Sequence, residues 1–211
     1  MATTTTHYGF DIPQSTDLVK DGATAIATLG QDIDTAMNTA LGTNKAGMVL
    51  LNTTSFSGVA SQSVNDVFSA TYENYKIIIT ISDLSVDGTT RLKLRVSGTD
   101  SSASYYSAYN GIAVDGAGFT FTENNVSTGM VVTSGDGGTD NIYSYAGDIL
   151  KPFLAVSTLM SGISTSSKSD GTFVGMPGAT AHQVATSYTG FSIIPASGTI
   201  TGKVSVYGYN L

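Results

Sequence analysis

The stretch KIIITISDLSVDGTTRLKLRV, residues Lys76 to Val96, decides the fold class. Its first part, Lys76–Ser82, is a dense run of β-branched residues, which are stiff at χ1 and fit a pleated surface better than a helix. The density of that run predicts a strand buried on both faces. Its last part, Arg91–Val96, alternates strictly, with Leu92, Leu94 and Val96 on one face and Arg91, Lys93 and Arg95 on the other. A repeat of two is the period of a strand with one covered face. Asp87-Gly88 between them is a turn signal.

The same period recurs in GFTFT (Gly118–Thr122), GMVVTS (Gly129–Ser134) and YTGFSIIPASGTITGKVSVYGYN (Tyr188–Asn210). The last is expected to hold a hairpin, with Ser192–Pro195 turning through Ala196-Ser197-Gly198 into Thr199–Tyr207. Asn110-Gly111, Asp115-Gly116 and Gly135-Asp136-Gly137-Gly138 supply further turns. Many short strands with turns between them predict an antiparallel β-sandwich or jelly roll over residues 46–211. No repeat of the propeller or solenoid kind is present.

Composition agrees. Charged residues are only 12% of the chain, roughly half the usual share, whereas Gly (24) and Tyr (11) are abundant. The formal net charge of −7 argues against nucleic acid as a partner. With no Cys there is no disulfide, thiolate metal site or Cys nucleophile. Residues 1–20 lack the basic and apolar regions of a signal peptide, and no apolar run is long enough to insert into a membrane.

Residues 1–45 read differently and form a separate segment. The Thr-rich stretch up to Pro13 predicts an extended arm, since Thr is poor in helices and Pro13 disfavours helix at Ile12. Ser15, Thr16 and Asp17 offer caps for a helix that Gly42 would stop. Along it Val19, Ile26, Leu29, Ile33, Ala36 and Ala40 share a face, with steps of 3, 4, 3 and 4 from Ile26 onward. Gly22 and Gly30 weaken it by about 1 kcal/mol each relative to Ala. Two readings stand open: the face packs on the β-domain of the same chain, or it forms a short seam with identical helices.

Side chains that carry chemistry are sparse. His7 and His182 are the only histidines, and no G-x-S-x-G, P-loop or H-E-x-x-H motif occurs. Asp136 and Asp140 offer oxygens for Ca²⁺ but match no EF-hand spacing, so a plain turn is the simpler reading. Catalytic residues, a cofactor and a metal are therefore not expected. Arg91, Lys93 and Arg95 form either a solvated face or a contact with an acidic neighbouring subunit or anionic glycan. Tyr105, Tyr106 and Tyr109, among Ser and Asn, suit either a strand edge or a binding surface.

The residues Thr3–Thr6, Tyr8, Gly9, Phe10, Pro13, Thr16, Asp17, Val19, Asp21, Gly22, Ala23, Ile26, Leu29, Ile33 and Asp34 carry a more specific signal. Together they closely resemble the N-terminal segment shared by many tailed-bacteriophage tail fibre and minor tail structural proteins. The closing GTITGKVSVYGYN is similar, more loosely, to the β-rich ends of such proteins. Phe10 stands where that family often has Trp. The resemblance implies a virion component on the tail or capsid surface, assembled in the host cytoplasm and commonly homotrimeric. It implies docking to other virion proteins through Thr5, Thr6, His7, Tyr8, Phe10 and Pro13, with the β-domain facing outward toward a host surface glycan or protein. It implies no catalytic residue. The alternative is a capsid decoration protein or head fibre that stabilises the shell; a glycan-cleaving tailspike is disfavoured by the absence of long β-helix repeats.

Overall fold

The alternating segments pair as antiparallel strands in a computed structural model that describes residues 3–6, 9–12, 19–41, 47–114, 116, 118–135, 142–167 and 173–210. His7, Tyr8, Pro13, the caps Ser15, Thr16 and Asp17, the stop Gly42, Asp115, and Asp136 and Asp140 lie outside the described residues. The chain divides at Gly47 into an N-terminal unit and a β-unit, Met48–Tyr209.

In the N-terminal unit the arm runs extended only briefly before it doubles back. β1 (Thr3–Thr4) pairs with β2 (Asp11–Ile12) as a two-stranded hairpin. Gly9 at φ +68° turns it, and Thr5 Oγ1 accepts a hydrogen bond from Phe10 N at 2.9 Å. α1 follows over Val19–Leu41.

The β-unit contains β3 (Met48–Val59), β4 (Gln62–Val64), β5 (Asn74–Leu84), β6 (Gly88–Val96), β7 (Thr99–Asp100), β8 (Tyr105–Ala113) and β9 (Gly118–Val126). After these come β10 (Met130–Gly135), β11 (Ile142–Leu150), β12 (Thr158–Ser167), β13 (Phe173–His182), β14 (Gly190–Pro195) and β15 (Ile200–Tyr209). One sheet has the order β3-β15-β5-β11-β12-β13-β8-β9; the other has the order β10-β6-β14-β4, with β7 beside β6. All pairings are antiparallel. The protein is mainly β, in the manner of a sandwich with its core between the sheets.

Two expectations change. β5 is not buried on both faces: Tyr75, Ile77, Ile79 and Ile81 are buried, while Thr80 and Ser82 are exposed and Ile78 is 37% exposed. An antiparallel sheet covered on one side needs only one apolar face. Ser192–Pro195 and Thr199–Tyr207 do not form a hairpin either, because β14 pairs with β6 and β4 whereas β15 pairs with β3 and β5. Phe191 and Ile193 on one strand and Val204 and Val206 on the other all lie in the same core, so the chain crosses between sheets instead of folding back within one. Gly198, at φ +69°, makes this crossing against Ser85, where a Cβ would lie 2.4 Å from its Oγ. Ser85 N donates to Thr199 O and its Oγ accepts from Thr199 N, tying this crossing to the one between β5 and β6.

The interior is rich in tyrosine. Tyr109 lies over Gly178, where a Cβ would fall 1.8 Å from the ring, so β13 needs a residue without a side chain there. His182 is fully buried, stacked on Tyr105 with ring centroids 4.2 Å apart. Its Nε2 hydrogen-bonds with Tyr188 Oη at 2.6 Å and Ser101 Oγ at 3.1 Å. Burial pushes the His182 pKa below its ordinary value, outweighing the nearby Ser104 carbonyl, which favours the charged ring.

Gly178→Val should therefore destabilise the protein by about 3 kcal/mol in urea unfolding, the upper end of overpacking costs. The His182 ring protonates near pH 6.5 when unfolded but resists protonation when folded. Its stabilising contribution is complete above about pH 6.5 and shrinks as pH falls below that value. Melting temperatures should fall from pH 7 to pH 5, and His182→Phe should flatten that part of the profile.

Candidate functional site

The basic face of β6 is folded inward on its own chain. Arg91 holds Glu123 of β9 through two hydrogen bonds, at 2.6 and 2.7 Å, and also donates to Gly129 O. Arg95 pairs with Asp100 at 2.9 Å and donates to Ser63 Oγ, Ser192 Oγ and Gly98 O. The Arg91 and Arg95 side chains are only 13% and 14% exposed, and Lys93 between them is partly buried. Arg91 and Arg95 thus do not form an open cationic patch; bidentate and networked pairing holds them in place.

The tyrosines separate by strand alternation. Tyr105 and Tyr109 point into the core, which corrects their reading as surface contacts. Tyr105 Oη accepts from Leu94 N at 3.0 Å and donates to Ser101 O, while Tyr109 Oη donates to Val131 O, so each ring ties the larger sheet to the smaller. Desolvation raises both phenol pKa values well beyond the ordinary range. Tyr106, one residue out of phase, lies on the other face and is partly buried.

In the N-terminal unit, Phe10 lines a cavity of about 200 Å³ together with Ile33, Ala36, Met37 and Ala40, so the hairpin sits on the helix face that carries the heptad positions. Thr5 is partly buried and Thr6 is exposed. Leu29 and Ala36 are partly buried, whereas Ile26 is 66% exposed, with Ile33 and Ala40 also exposed. Val19 lies in α1, but its side chain is outside the described residues. Met37, 55% exposed, extends the Ile26–Ile33 line by one further turn. The heptad pattern missed it because Ala36 took the equivalent position.

The larger missed feature is the outward face of the eight-stranded sheet. β12, β13 and β8 contain no Asp, Glu, Lys or Arg. Pairing aligns Ile78, Ala146, Ile163 and Pro177 in one outward row and Leu150, Leu159, Ala181 and Tyr106 in another. Ile163 is 54% and Leu159 50% exposed. Tyr106, Ala108, Leu159, Ala179 and Ala181 line a shallow trough of about 370 Å³ together with Ser107, Thr180 and Glu123, whose carboxylate is held by Arg91. Alternation in TLMSGIS could have signalled this face, but Ser and Gly interleave with the apolar residues and blur it.

Among the described residues, no group of three or more His, Asp or Glu side chains comes together to hold a metal ion, and no helix is long and apolar enough to cross a membrane. No protein-family model matches this sequence, and no curated protein matches it significantly.

Arg91→Met should cost about 2 to 3 kcal/mol in chemical unfolding, because it leaves the Glu123 carboxylate largely buried without its partner. A solvent-facing receptor contact would instead leave stability unchanged.

Proposed function

We propose that this chain is a structural component of a tailed-bacteriophage particle. In this reading it is a short, homotrimeric tail fibre, docked through its N-terminal hairpin and carrying the β-unit outward to a host surface glycan or protein. The observation that carries the proposal is the exposed apolar line Ile26–Ile33–Met37 on α1, in the segment whose residues resemble phage attachment ends. An exposed apolar helix line at heptad spacing favours association with identical helices. The line is short, roughly three heptads with the flanking positions, so the β-units must add contacts of their own.

The role proposed for the β-unit is binding rather than catalysis. Arg91 and Arg95 are occupied within the chain, so the host-contacting residues are sought on the loops and on the exposed outward positions.

Gold-labelled antibody raised against the β-unit should decorate intact particles of the encoding phage at the tail. Even labelling over the head would identify a capsid decoration protein or head fibre instead. Absence of the chain from purified particles would remove the proposal.

A further inference from the structure

We infer that the outward face of β5, β11, β12, β13 and β8 is the surface through which copies of this chain pack against one another. The inference rests on the homotrimer proposed above and assigns where its β-units meet.

Charge selects the occupant. The chain carries −7 formally, so identical copies repel wherever their acidic surfaces approach. This face is where that repulsion is absent. Its outward strand positions carry one opposed pair, Lys76 and Asp148 at 3.5 Å, with Tyr209 Oη bonded to the same carboxylate. That pair is already neutral overall and offers a partner no net charge.

Shape points the same way. The face alternates bulky and small residues: Ile163 stands between Ala146 and Pro177, and Leu159 stands beside Ala181. Ala108, Ala179 and Ala181 line the trough with Tyr106 and Leu159, and the one carboxylate beside them, Glu123, is already neutralised by Arg91. Contacts around a three-fold axis are heterologous, one part of a surface meeting a different part of the next copy's, and this face holds both the projections and the recesses that such a contact needs. A saccharide-binding face would instead present carboxylates and amides in number.

The size fits as well. With about 4.8 Å between strands, about 6.8 Å between outward rows and about five outward rows along each strand, the five strands cover roughly 800 Å². A standard interface uses about 800 Å² per partner. Single exposed apolar residues need no partner, but two apolar rows on one face, separated only by small residues and a neutral ion pair, mark an interaction site.

Light scattering on the full-length protein tests this, with Ile163→Glu and Ala179→Glu as variants. Both positions are already exposed, and Ala179, flanked in register by Ser161 and Ala108, gives up only a methyl group, so circular dichroism and melting should show the fold intact. The wild type is expected as a trimer, and each variant should raise the concentration at which it dissociates by about a hundredfold, the effect of burying an unpaired charge at an interface. A trimer unmoved by either variant overturns the inference while leaving the homotrimer in place. A wild-type monomer overturns both, and gives the face to a different partner.

Discussion

The β-unit depends on closing one face of β5 over the smaller sheet. Tyr75, Ile77, Ile79 and Ile81 share one core with Leu92, Leu94, Phe191 and Ile193, all buried. Fully burying one such side chain is worth about 1.5 to 3 kcal/mol, so this single contact surface dominates the stability of the unit. Strand alternation then fixes everything outside it. Once these side chains turn inward, Ile78 and the Lys76–Asp148 pair must turn outward. The outer face of the large sheet, free of charged residues along β12, β13 and β8, follows from the same register.

Hydrogen bonds between the sheets sharpen that closure. Tyr105 and Tyr109 start on the larger sheet and end on backbone groups of the smaller, at Leu94 N and Val131 O. A phenol satisfies its hydroxyl in the interior only where such a group is waiting, so these bonds fix the relative placement of the sheets in a way apolar packing alone does not. Gly178 makes room for one of these rings and Gly198 for a crossing between sheets.

Much of this was legible in the sequence, and the misses have physical causes. Period-two alternation located β6, because Leu92 and Leu94 lie on its covered face, and the same period in GFTFT and the steps of 3 and 4 located β9 and α1 through local pattern alone, since neither element holds a fully buried residue among those described. Ala196-Ser197-Gly198 announced a turn but not which sheet each flank would join; that depends on which strands are adjacent in space. Arg91 and Arg95 looked like a patch because their partners, Glu123 and Asp100, lie on other strands. Tyr105, Tyr106 and Tyr109 looked alike because alternation sorts them only once the phase of β8 is known. The outward face of β12 and β13 gave least signal, since small residues between Leu159, Ile163 and Phe173 mimic a loop composition.

Among the described residues each unit presents an exposed apolar surface, the Ile26–Ile33–Met37 line in the one and the outward face of the large sheet in the other. In the proposed particle component both serve the same end, holding copies together so that the N-terminal unit docks and the β-unit is displayed. An electron cryomicroscopy structure of the purified full-length protein tests this most directly. Ile163 and Leu159 should be found buried against the β-units of neighbouring copies, with the α1 helices in contact along Ile26 and Ile33. Copies joined through other surfaces, with Ile163 and Leu159 open to solvent, would contradict it.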